Sequence, residues 1–150
     1  MKLAFASALL VCCFILHGNP REGEFEAALS RLGGQVTFSG GGYNRSIPLN
    51  NLILERPGWG PVINPPMTGE YHITMPVAVD VQAVALWQHK RPGAMRQIKS
   101  FDVLLDGQLA KENCDIPRDQ TQKETRFDLD GRTAKTVTIR IRELYPQEGK

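Results

Sequence analysis

The chain has 150 residues and a formal net charge of +2, because 18 Lys and Arg nearly balance 16 Asp and Glu. A charge this small, without a block of basic residues, argues against a nucleic-acid-binding protein. The length fits one domain that follows a removable leader.

The first 18 residues have the layout of a secretory signal peptide. A basic start at Lys2 leads into an apolar run from Leu3 to Leu16, and the chain turns polar at His17. This run is shorter than the ~20 residues that a membrane-spanning helix needs. The pattern predicts export to a secreted, periplasmic or cell-surface location, with residues 1–18 removed and no stable membrane insertion. Acylation at a leader cysteine and an uncleaved anchor are the alternatives.

Residues 19–34 predict a short helix or linker. Apolar residues recur at helical spacing from Phe25 to Leu32 within the segment Glu22–Leu32, and Gly33-Gly34 follows as a stop signal.

From Gln35 onward the sequence indicates strands and turns. Val77–Trp87 alternates and becomes apolar on both faces toward its end, which is typical of a central strand. Ile98–Asp106 is a strand closed by Asp106-Gly107, a dipeptide that favours a hairpin.

Two further strands follow. Glu124–Leu129 is expected to end at Asp130-Gly131, and Thr136–Leu144 alternates apolar and polar residues. Turn signals about every ten residues predict an all-β fold for residues 35–150, an antiparallel jelly-roll-like sandwich. Once the leader is removed, Cys114 is the remaining cysteine and is expected to be a buried, unreactive thiol.

Two stretches carry a resemblance to the galactose-binding-like β-sandwich superfamily, which includes discoidin domains and coagulation-factor type C domains. They are VDVQAVALWQHKRPGAMRQIKSFDVLLDG (79–107) and ETRFDLDGRTAKTVTIRIREL (124–144). Trp59 adds to it, because family members often carry a loop tryptophan before the first core strand. The resemblance covers about half of the chain. The family continues past the last of these strands, so the domain is expected to be abbreviated or C-terminally truncated.

The resemblance implies binding loops at one end of the sandwich. Trp59 is then expected to stack on a sugar ring, and His89, Arg91 and Arg96 to hydrogen-bond its hydroxyl groups. Fucose is not indicated, because Gly93 stands where fucose-binding relatives have Asp. Some relatives hold a structural Ca²⁺, for which Asp102, Asp106, Asp128 and Asp130 are available; no other cofactor is expected.

The sequence contains no nucleophile elbow, P-loop or dinucleotide fingerprint. It therefore predicts a non-catalytic binding module, with carbohydrate or a glycoprotein surface as the partner. The alternative is a structural or protein–protein interaction domain, or an accessory fragment of a larger surface protein, with no small-molecule ligand. Asn44-Arg45-Ser46 is an N-glycosylation sequon, which matters only in a host that glycosylates exported chains.

Overall fold

The computed structural model describes residues 7–12, 24–26, 32–40, 69–87, 97–118 and 124–146, and these residues form strands with almost no helix. The expected all-β class is confirmed. The strands are β1 (Ser7–Cys12), β2 (Glu24–Glu26), β3 (Gln35–Gly40), β4 (Gly69–Trp87), β5 (Ile98–Leu105), β6 (Gln108–Asp115) and β7 (Glu124–Leu144). Within these ranges, no helix has the length and apolar character to cross a bilayer.

Five strands pair in antiparallel fashion in the order β3-β4-β7-β5-β6. Their inner face is built by strict alternation. Val137, Ile139 and Ile141 of β7 are all at most 2% exposed, as their period of two predicts. The residues between them point to the opposite, outward face.

β4 and β7 are longer than the sequence indicates and form one antiparallel ribbon. Glu70–Thr74 pairs with Thr136–Arg140, and the ribbon resumes at Val79 opposite Ala134. Pro76 lies where this pairing is interrupted, so its lack of an N–H costs no hydrogen bond between β4 and β7.

The expectation that Asp130-Gly131 ends a strand is wrong. β7 runs through both residues, with Gly131 at φ 73°. A Cβ added at Gly131 would lie 2.6 Å from Gln82 Nε2, the movable end of a side chain, so glycine is favoured here by the positive φ and not by lack of space. The dipeptide bends the strand instead of terminating it.

The two halves of the ribbon enclose one core. Phe127, in the first half of β7, packs edge-on against Phe101 of β5 with ring centroids 5.0 Å apart. Lys111 Nζ donates to the Asp128 carbonyl and Arg132 Nη2 to the Leu109 carbonyl, which holds this half of β7 beside β6. As predicted for a central strand, residues 83–86 of β4 are buried on both faces.

The predicted Asp106-Gly107 hairpin is confirmed. It joins β5 to β6, and both residues have positive φ (46° and 80°), as a two-residue turn with the right-handed strand twist requires. Asp106 Oδ1 also accepts hydrogen bonds from the backbone N–H groups of Lys135 (3.1 Å) and Thr136 (2.8 Å). The turn is therefore fixed to β7 where its pairing with β4 is interrupted.

The helix expected over Glu22–Leu32 is not formed in its described part. Glu24–Glu26 is a strand that pairs in parallel with β1, and β1 pairs in parallel with Val81–Leu86 of β4. The alternating Glu-Phe-Glu sequence is compatible with a strand, and backbone pairing with β1 outweighs a weak helical preference. β1 lies inside the predicted leader.

Candidate functional site

The four residues predicted to bind a ligand lie outside the described residues. Trp59 falls in 41–68, and His89, Arg91 and Arg96 fall in 88–96. The structure does describe the strands that flank these two segments, and those flanks set where each segment begins and ends.

The flanks meet at one end of the five-stranded sheet, which we call the loop end. There β3 ends at Gly40, directly opposite the start of β4 at Gly69, and β5 begins at Ile98, opposite Leu144 of β7. Segment 41–68 therefore leaves from and returns to this end, and segment 88–96 arrives at it.

Segment 119–123 also starts at the loop end, because it follows Asp115–Arg118 at the end of β6. It leads to Glu124, which pairs with Trp87, where segment 88–96 starts. The six residue steps from Arg118 to Glu124 span at most about 22 Å. Segments 88–96 and 119–123 thus connect the same two regions of the protein.

Tyr145 holds the flanks of these segments together. Its backbone N–H donates to the Gln97 carbonyl and its hydroxyl to the Ile116 carbonyl, each at 2.8 Å. The Arg118 guanidinium lies 5.5 Å from the Tyr145 ring centroid and donates to the Pro146 carbonyl. These contacts connect the Gln97, Ile116 and Arg118 flanks to the residues that follow β7.

Lys99 and Glu143 form an ion pair on the strands next to these flanks, with Nζ 2.5 Å from Oε2. The hydrogen bond to the Glu143 carboxylate raises the pKa of Lys99. Both side chains are about half exposed, so the pair keeps Lys99 charged but adds little stability.

A row of polar side chains crosses the outward face close to the loop end. Ser39, Glu70, Arg140 and Asp102 occupy directly opposite positions on β3, β4, β7 and β5. Arg140 Nε donates to Glu70 Oε1 at 2.5 Å, and this bond raises the pKa of Arg140. Along the row, the basic Arg140 lies between the acidic Glu70 and Asp102.

Asp102 is the buried member of this row, at 0% exposure. Arg142 Nε donates to its Oδ2 at 2.7 Å, and the Asn113 backbone N–H donates to its Oδ1 at 3.1 Å. Asn113 has φ 52° and lies at a register shift between β5 and β6. The Asp102 carboxylate thus accepts a hydrogen bond from an N–H that the bulge excludes from strand pairing.

His72 lies in the neighbouring row, between two hydroxyl groups. Its Nε2 is 3.1 Å from Ser39 Oγ and its Nδ1 is 3.0 Å from Thr138 Oγ1. Glu70 Oε2 is 3.5 Å from the same Nε2. In a Ser-His-Asp triad the far nitrogen of the histidine faces a carboxylate, and here that nitrogen contacts the Thr138 hydroxyl group. The arrangement is a hydrogen-bonded polar surface.

Three of the four aspartates considered for Ca²⁺ bind groups of the protein itself. Asp102 and Asp106 accept hydrogen bonds from backbone N–H groups. Asp128 Oδ1 accepts a hydrogen bond of 2.6 Å from Arg126 Nε. In the part of the chain that the structure describes, no cluster of three or more His, Cys, Asp or Glu could hold a metal ion.

Cys114 is buried at 2% exposure, as expected for an unreactive thiol. Burial raises its pKa to about 11. The thiolate that a nucleophile or metal ligand needs is therefore scarce at neutral pH.

Sequence reasoning missed the outward-face row and the Tyr145 anchor. The alternation of Glu70 and His72 with buried Tyr71 and Ile73 signals a polar face, but the partners of each residue depend on strand register. Comparison of the chain with protein-family models, curated proteins and solved structures gives no match.

Proposed function

We propose that the chain is an exported, non-catalytic binding module that recognises carbohydrate or a cell-surface glycan through segments at its loop end. One observation supports this function. The segments that carry Trp59 and the group His89, Arg91 and Arg96 both have strand flanks at the same end of the sheet. Residues from two separate segments can therefore serve one site.

The residue types suit a sugar. A tryptophan ring stacks on the C–H face of a pyranose, and the planar donors of arginine bind adjacent oxygens. The flanks fixed by Tyr145 support this, because a base ordered before binding lowers the entropy lost when the ligand is held.

For the fold, we propose a jelly-roll-like sandwich of the galactose-binding-like kind. The shared core and the contact between Phe101 and Phe127 support two layers. For location, we propose secretion, the periplasm or the cell surface, supported by the apolar leader sequence.

Binding of the full chain to an array of immobilised glycans tests the function. Trp59→Ala and Arg91→Ala are each expected to lower binding at least tenfold, about 1.4 kcal/mol or more, with unchanged circular dichroism. Lys135→Ala is the matched control, because Lys135 lies by the Asp106 turn at the opposite end of the sheet. Equal binding by wild type, Trp59→Ala and Arg91→Ala would remove this site. No glycan binding by wild type would overturn the proposal and favour a protein-interaction domain.

A further inference from the structure

The edges of the sheet are not equally protected against the addition of another strand. β6, at one edge, carries Lys111, Glu112 and Asp115 and has register shifts against β5. Charges and bulges of this kind prevent another strand from adding to an edge.

The edge of β4 between Val81 and Leu86 has neither protection. Its sequence, Val-Gln-Ala-Val-Ala-Leu, contains no charge and no proline. Val81 and residues 83–85 are 0% exposed, so this stretch is buried on both faces. β7 pairs with one edge of this stretch. The backbone N–H and C=O groups along its other edge therefore need a second partner.

In the structure, β1 pairs with that row. Leu9, Leu10 and Val11 lie opposite Ala83, Val84 and Ala85 in parallel register. An extended apolar segment thus fits this edge, and it runs parallel to β4 although the neighbouring strands pair antiparallel. β1 belongs to residues 1–18, the leader that is predicted to be removed on export.

We propose that Val81–Leu86 is a strand-acceptor site, and that in the processed protein it binds an extended apolar strand of another polypeptide, parallel to β4. Backbone hydrogen bonds supply affinity that is independent of side chains, and the apolar edge selects small and branched aliphatic residues like those of β1. The inference rests on leader removal but not on the glycan site at the loop end.

The test uses the full-length chain with Leu10→Pro, because proline removes a ladder donor from the middle of β1. Ala4→Pro, outside Ser7–Cys12, is the matched control. Amide hydrogen exchange in residues 81–86 is expected to accelerate at least about tenfold in Leu10→Pro and to stay unchanged in the control. If Leu10→Pro loses its β-sheet circular dichroism, Leu10→Gly replaces it, because glycine weakens the strand without removing the donor.

The hexapeptide SALLVS, residues 7–12 with Cys12→Ser, is then added. It is expected to slow exchange again in Leu10→Pro, whereas the reversed peptide SVLLAS is not. Unchanged exchange in Leu10→Pro would show that another part of the chain covers the edge and would overturn the proposal. Dimers of Leu10→Pro in the absence of peptide would make a second copy the occupant, and equal rescue by both peptides would refute a parallel site. N-terminal sequencing of exported protein tests leader removal separately.

Discussion

Replacing Arg142 by methionine is expected to destabilise the protein more than replacing Asp102 by asparagine, although the two residues share one ion pair. The reason is unequal burial. Asp102 is 0% exposed, whereas the Arg142 side chain is 50% exposed. Methionine keeps most of the apolar stem of arginine and removes the charged donor.

The structure sets the expected magnitudes. Arg142→Met removes the charged donor from a buried carboxylate that then keeps its hydrogen bond from the Asn113 N–H, which is expected to cost about 3 kcal/mol. Asp102→Asn keeps an oxygen for Asn113 and leaves a half-exposed guanidinium that water can solvate, at a cost of about 1 kcal/mol. At this chain length, about 3 kcal/mol lowers Tm by roughly 9 °C.

Urea and thermal unfolding of the wild type, both single variants and the double variant measure these effects. The double variant is expected to lose about 1 kcal/mol, so the two substitutions are coupled by about 3 kcal/mol. Lys99→Met is the control, because it breaks an exposed pair and is expected to leave Tm unchanged. Equal losses for the two single variants, or additive losses in the double variant, would refute unequal burial as the cause.

Two further predictions concern the turn and the thiol. Asp106→Ala is expected to cost about 2 kcal/mol in urea unfolding, since alanine disfavours positive φ and cannot accept the Lys135 and Thr136 N–H groups; Asp106→Asn should stay within about 1 kcal/mol of wild type, and an equal loss would contradict this account. Cys114 has a native pKa of about 11 against 9.0 for the exposed thiol. The stability that the neutral, buried thiol contributes to the fold is therefore fully present below pH 9. It is lost as the pH rises from 9 to 11, by about 3 kcal/mol in total. Between pH 8 and 11, urea unfolding should show a loss about 2 kcal/mol larger in wild type than in Cys114→Ala, and equal losses in both would refute this.

Local sequence signals predicted the elements whose causes are local. The Asp106-Gly107 turn and the alternation from Thr136 to Leu144 are confirmed because backbone conformation and period-two burial are encoded over a few residues. The same signals failed where pairing continues past a break. Asp130-Gly131 was expected to end a strand, and a proline such as Pro76 disfavours pairing, but β4 and β7 pair on both sides of these residues.

The outward-face row could not be predicted for a related reason. Glu70, Arg140 and Asp102 come from three strands, and a shift of one residue in any register would turn each side chain to the other face. Register depends on the whole pattern of bulges. The predicted ligand residues lie outside the described ranges, so their roles stay predictions that only their flanks support.

The distribution of basic side chains also bears on where a ligand would bind. Many basic residues in the described ranges donate to acceptors of the protein itself, as Arg142 does to Asp102 and Arg132 to the Leu109 carbonyl. The others with such bonds are Lys99, Lys111, Arg118, Arg126 and Arg140. A ligand that recruited these groups would have to break internal bonds and lose their stabilisation. This cost argues against recognition of a ligand by the described basic residues of the outward face.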